Sequence, residues 1–249
     1  MTHVNDRVIN GVGIIELNRP ERRHALSDEM FERIPMLVEQ YDADDAIKCI
    51  LVTATGTAFC AGGDLRDKSV YSLDEMTRCI LALYRSPKVS IAALPGAAAG
   101  AGMALALVCD LRIAAASAKL VPAWGAVGFS GDYGGIYFLT QLIGPGRTLA
   151  ALIDNATFSS AECERLGVFN RVVADDALAA DAIAWAAGIA SGPQTAYRSM
   201  KRNVRDALTL DFDTYLPVES QRMIASGQTK DHRDAVRRWQ AAAQAKRDP

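Results

Sequence analysis

LPGAAAGAGMALALVCD, Leu94 to Asp110, is the stretch whose reading decides the fold. It is the most Gly- and Ala-rich part of the chain. It reads as the end of a strand, a tight glycine turn, and a helix beginning near Gly100 and running to Asp110. Small residues from Gly96 to Gly102 let backbone approach backbone, or backbone approach a ligand. The first N–H groups of a helix have no intrahelical partner and point outward. Such an end favours an oxyanion or a phosphate. Two readings stay open on this stretch alone: a core helix packed closely on a sheet, or a site for negative charge.

Working outward, Val8–Ile9 and Val12–Leu17 flank an Asn10-Gly11 pair, a strong short-range hairpin signal. Ser27 is a good N-cap, with Asp28 and Glu29 in the first turn. The helix from Ser27 to about Tyr41 carries Met30, Ile34, Leu37 and Val38 on one face, and Pro35 is expected to kink or divide it. Ile47 to Ala54 reads as a buried strand, followed by GTAFCAGGDL (Gly56 to Leu65), a second glycine turn. Ser72 to Tyr84 is an amphipathic helix, Lys88 to Ala93 a strand, and Leu111 to Ala115 again β-like. Alternating strands, glycine turns and helices indicate an α/β fold, with ligands expected at the carboxyl ends of parallel strands.

GAVGFSGDYGG (Gly125 to Gly135) feeds a helix expected from about Asp132 to Ile143. Beyond Arg147 the pattern is mostly helical: Ser159–Leu166, Asp175–Ser191 with Trp185 inward, Pro193–Ala207, Phe212–Ser226 and Lys230–Lys246. This divides the chain into a core over 1–194 and a helical region over 195–249, with the boundary near Thr195.

Composition narrows the function classes. The 249 residues are 50% hydrophobic and 22% charged with formal net charge −2, which gives no reason to expect nucleic acid or a membrane as partner. Cys49, Cys60, Cys79, Cys109 and Cys163 show neither a CxxC pair nor metal-ligand spacing. An odd cysteine count and an N-terminus without an apolar run lead us to expect a reducing, cytoplasmic setting. Ser90 to Val108 is apolar, but Pro95 and its glycines fit a strand-turn-helix rather than a membrane span.

Two glycine turns, each after a buried strand, let two backbone N–H groups converge on one oxygen. Paired donors of that kind make an oxyanion hole, worth roughly 3 kcal/mol per donor. The chain has no GxSxG elbow, HExxH or Walker sequence.

LNRPERRHAL, GTAFCAGGDL, LPGAAAGAGMALALVCDLRIA, GDYGGIYFLTQLIG and FSSAECERLGVFNRVV together resemble the enoyl-CoA hydratase/isomerase (crotonase) family over nearly the whole chain. The resemblance implies a spiral of ββα units with a C-terminal helical region, assembled as a homotrimer or a hexamer. It implies an acyl-CoA thioester substrate, with coenzyme A arriving as part of that substrate and no separate cofactor or metal. Carried over by position, the oxyanion donors are the N–H groups of Gly63 and Ala101. Arg22, His24, Ala25, Leu26, Ala61, Asp64 and Leu65 would lie along the CoA, and Lys246 would reach a neighbouring subunit's CoA. An Asn is usual in the family where His24 stands, so His24 is equally read as a structural residue of its turn.

The family's hydratases use two glutamates; here those positions hold Ala104 and Trp124. A carboxylate, Asp132, follows in FSGDYGG and matches the catalytic aspartate of the ring-epoxide phenylacetyl-CoA isomerase branch. It also resembles the nucleophile of the 4-chlorobenzoyl-CoA dehalogenase branch, which has a tryptophan at the earlier position. Asp132 is thus either the N-cap of the next helix or a catalytic group, and Trp124 either lines the substrate or fills space. Asp110 and Arg112 read as a structural pair, Asp64 as ordering its own turn, and Glu162 as the first-turn acid of its helix. Tyr84, Phe129, Tyr133 and Tyr137 are candidates for an acyl pocket or for core. The leading function is an acyl-CoA double-bond isomerase using Asp132 as proton shuttle. The alternatives are an aspartate-nucleophile hydrolase or dehalogenase of an aromatic acyl-CoA, and a non-catalytic acyl-CoA binder.

Overall fold

The computed structural model describes residues 2–64 and 73–245. In chain order the first elements are β1 (Val4–Ile9), β2 (Val12–Leu17), α1 (Asp28–Ala43), β3 (Cys49–Ala54), β4 (Ala58–Cys60) and α2 (Leu73–Arg85). Then come β5 (Val89–Leu94), β6 (Ala97–Ala99), α3 (Ala101–Val108), β7 (Leu111–Ala115), β8 (Lys119–Val121), α4 (Gly135–Ile143) and α5 (Pro145–Ile153). The chain continues through β9 (Phe158–Ser159), α6 (Ser160–Arg165), β10 (Arg171–Val173) and α7 (Leu178–Ala190). Helices α8 (Gln194–Asp206), α9 (Phe212–Gly227) and α10 (Lys230–Ala245) close it.

The hairpin β1–β2 turns through Asn10 and Gly11 at φ 51° and 76°, both positive as the tight turn requires. β2 opens a parallel run, and the larger sheet has the order β1-β2-β3-β5-β7-β10. Its middle strands, CILVTA and VSIAAL, are apolar along their length because both faces are covered. A second sheet of short strands, β4-β6-β8-β9, stands at the exit of the first. Each turn of the chain therefore contributes a long strand, a short strand and a helix: β3-β4-α2, β5-β6-α3, β7-β8-α4. This is an α/β spiral of ββα units with helices at the C-terminal end.

Several sequence expectations change. α1 runs unbroken through Pro35, whose flanking turns are held by the buried side chains of Phe31, Ile34, Leu37 and Val38; packing there outweighs the lost N–H. Helix α3 stops at Val108 and is buried throughout. It lies so close to β4 that a Cβ on Gly102 would stand 2.3 Å from the Cys60 carbonyl oxygen. Helix α4 starts at Gly135 rather than Asp132. Trp185 is half-buried, with the Arg171 guanidinium 4.0 Å above its ring.

Asp110 and Arg112 are both structural, but each holds its own partners. Asp110 accepts from the Ser90 N–H at 2.8 Å and pairs with Lys201 Nζ at 2.6 Å, anchoring α8 to the sheet. Arg112, 4% exposed, donates to the Val168 and Cys109 carbonyls at 2.5 and 2.7 Å. Glu162 does cap α6, in a reciprocal capping box with Ser159. All five cysteines are free and buried, and burial pushes the Cys60 thiol up to about 12. Among the described residues no helix is long and apolar enough to cross a membrane.

Candidate active site

The segment after β2 is shaped by a short helical turn, Pro20–Arg22, and by Arg23 and His24, whose φ values are 50° and 56°. His24 pins this shape from inside. Its Nδ1 accepts the Arg19 N–H at 3.0 Å, so Nε2 carries the proton and donates to the Thr55 carbonyl at 2.8 Å. Burial lowers its pKa, in keeping with that neutral ring. With 1% exposure and both nitrogens taken by backbone, the imidazole is a structural residue of the turn.

Arg19, which the sequence offered with Arg22 and Arg23 as a basic spot for a phosphorylated ligand, holds the same turn from the other side. Its Nη1 donates to the Ala25 carbonyl at 3.0 Å and pairs with Asp64 Oδ2 at 2.9 Å. Asp64 therefore clamps two segments together instead of ordering its own turn alone. The backbone zips them further: Ala61 N–H to the Arg23 carbonyl at 2.9 Å, and Leu26 N–H to the Gly62 carbonyl at 2.8 Å. Arg22, His24, Ala25, Leu26, Ala61, Gly63 and Asp64 thus form one strip. Ala25 and Leu26 are buried within it, Arg22 is half-buried, and Ala61 and Arg23 are exposed. Leu65 and Lys246 lie outside the described residues.

The two glycine turns meet. Gly62 has φ +97°, and a Cβ on it would stand 2.9 Å from the Ala99 carbonyl oxygen and 3.5 Å from Ala101 N. Gly100 enters α3 at φ 50°, its own N–H donating to the Val121 carbonyl at 2.9 Å. Among the described residues, neither the Gly63 nor the Ala101 N–H donates to a protein acceptor.

Trp124 and Asp132 reach the same place from the loop after β8. The glycines and Tyr133 carry the reversal, with Gly131, Tyr133 and Gly134 at φ +105°, 52° and 73°. The Trp124 indole is 3% exposed, and its Nε1 donates to Asp132 Oδ1 at 2.7 Å. A Cβ on Gly100 would lie 3.7 Å from that nitrogen; one on Gly135 would lie 2.4 Å from the indole edge and 3.1 Å from Ala104 Cβ. The N-cap of α4 is Gly134, so Asp132 does not serve as its side-chain cap. Burial raises the Asp132 pKa above the ordinary carboxylate value, while the Trp124 bond lowers it.

The four aromatics of the sequence reading separate. Tyr133 stacks on Phe31 at 5.6 Å, Tyr84 and Tyr137 flank Phe138, and Phe129 is 56% exposed. Tyr84, Tyr137 and Phe138 line a cavity of about 150 Å³ at the far end of α3.

What gathers at the start of α3 is one half-buried carboxylate, one indole donor, and two backbone N–H groups without a protein acceptor. A profile described as enoyl-CoA hydratase/isomerase matches residues 7–246. The 1,2-epoxyphenylacetyl-CoA isomerase of Escherichia coli K12 is 34% identical, covering 100% of this chain and 98% of that one. The solved structure of an enoyl-CoA hydratase subunit I from Geobacillus kaustophilus superposes with a TM-score of 0.90 at 30% identity, covering 96% and 95% of the two chains. An enoyl-CoA hydratase from Bacillus anthracis does so with a TM-score of 0.90 at 27% identity, covering 96% of each. The chain belongs to the enoyl-CoA hydratase/isomerase family.

Proposed function

We propose that the protein is an acyl-CoA double-bond isomerase whose single proton carrier is Asp132. The thioester oxygen accepts the Gly63 and Ala101 N–H groups, which favours the enolate over the neutral thioester. The Asp132 carboxylate takes a proton from C2 of a 3-enoyl thioester. The freed electron pair delocalises over C2 to C4 and onto the oxygen. Protonated Asp132 then returns the proton to C4, leaving a double bond between C2 and C3 and the carboxylate restored. One acid suffices, because the group that accepts a proton at C2 is the group that delivers one to C4.

The observation that carries this reading is the 2.7 Å Trp124–Asp132 bond beside Gly100, made by an aspartate that caps no helix. The raised Asp132 pKa supports it, since a more basic carboxylate is the better proton acceptor. A set of aliphatic and aryl 3-enoyl-CoA thioesters tests it, followed by the absorbance that appears when the double bond conjugates with the carbonyl. We expect conversion of at least one; no conversion across the set, at enzyme concentrations that bind CoA, would overturn the assignment.

The same reading places CoA along the strip from Arg22 to Leu26 and Ala61 to Asp64, with Trp124 facing the acyl end and Leu65 and Lys246 as further contacts. It also gives residues 195–249 a role in assembly into a homotrimer or hexamer. The exposed side chains of Met200, Val204, Phe212, Met223 and Trp239 on α8 to α10 support self-association. Sedimentation is expected to show a trimer or larger at micromolar concentration; a fully active monomer would refute it.

A further inference from the structure

We infer that Trp124 is the positioning residue that decides the fate of the enolate, holding Asp132 for proton return and keeping water from adding to the substrate. This rests on the reading of Asp132 as proton carrier.

The indole touches the site in two ways. Its N–H takes Asp132 Oδ1, while Oδ2 accepts no hydrogen bond among the described residues. One oxygen is therefore fixed and the other is left for the substrate's proton. The carbon edge of the ring packs against the first turn of α4 at Gly135, where Ala104 also comes close. The fit is tight enough that a Cβ on Gly135 would come within 2.4 Å of it, so no water fits between ring and helix at that contact.

Adding water across a 2-enoyl thioester needs room for the water beside C3 and a group to take its proton. The water oxygen bonds to C3, the C2–C3 π pair moves into the enolate, the base takes a proton from the water, and the same group then delivers a proton to C2. Among the described residues, the segments next to the indole offer little for this beyond Asp132. Helix α3 carries no ionisable side chain, the loop Gly125–Gly131 carries none, α4 carries only Tyr137, and Tyr133 neighbours Asp132 in sequence. Asp132 is thus the group placed to take that proton, and the indole occupies the volume that the water would need.

Two variants separate these effects. Trp124→Phe keeps most of the ring and removes the N–H. The carboxylate loses the donor that lowers its pKa, so the acid limb of kcat/KM should move to higher pH, with kcat lower by about tenfold. The product should still be the isomer. Trp124→Ala opens the space, and with 2-enoyl-CoA in ¹⁸O-water it should yield 3-hydroxyacyl-CoA carrying the label, which the native enzyme should not form. An unmoved acid limb in Trp124→Phe would overturn the inference even where Trp124→Ala does not fold. So would a folded, CoA-binding Trp124→Ala that still isomerises and forms no hydrated product. Isomerase activity surviving in Asp132→Asn would instead defeat the underlying proton-carrier reading, so the two failures are distinguishable.

Discussion

Asp132→Asn should lower kcat by about 10²–10⁴-fold, the range for loss of a general acid–base. Acyl-CoA affinity should stay nearly unchanged. Asparagine keeps the shape of the side chain and an oxygen for the Trp124 N–H, so the local packing is preserved and only proton acceptance is lost. A second consequence follows from linkage. Burial raises the native Asp132 pKa above its unfolded value, so the charged carboxylate costs stability once the pH rises past the unfolded pKa. Relieving that cost should leave Asp132→Asn at least as resistant to denaturant as the native protein at neutral pH. Calorimetric titration with CoA, turnover assays and urea unfolding measure the three effects. Native-like turnover in the variant would remove Asp132 from the mechanism.

Ala101→Pro is expected to reduce kcat by about 10²–10³-fold, the loss seen when one oxyanion donor is removed. Ala101 is the first residue of α3, the helical position where proline is best accommodated because its missing N–H has no intrahelical partner. The substitution therefore removes the proposed donor with limited damage to the helix. Circular dichroism reports whether the fold survives. Replacing the Ala101 N–H by an ester oxygen through semisynthesis is the cleaner companion, since it adds no ring. A folded variant of either kind with unchanged kcat would show that the enolate is held elsewhere.

Much of the architecture was legible in the sequence because its long strands are apolar runs bounded by turn residues. Asn10-Gly11 announced the hairpin, and the two glycine turns announced close backbone approach. The short strands were not legible. Ala97–Ala99 has little β-propensity and Phe158–Ser159 is too short to show a period; both exist because neighbouring chain segments offer them ladder partners. Pro35 misled for the opposite reason, since a local rule gave way to burial on both sides of it.

In the candidate site, Asp132 stood out as an acid in a glycine-rich loop, but its bond to Trp124 did not. That contact depends on left-handed residues at Gly131, Tyr133 and Gly134, which bend the chain in a way no periodicity encodes. The Arg19–Asp64 clamp and the Asp110–Lys201 anchor were equally hidden, each joining segments far apart in sequence. Family resemblance pointed to Gly63 and Ala101 as the proposed donors. The structure adds that their turns touch through Gly62.

The central claim is that one carboxylate, Asp132, carries the substrate's proton. It is tested most directly by proton NMR of a 3-enoyl-CoA in deuterated water with native protein and with Asp132→Asn. Native protein should exchange the C2 hydrogens with solvent deuterium, while the variant binds the thioester and leaves them untouched. Exchange at equal rates in the two proteins would contradict the account.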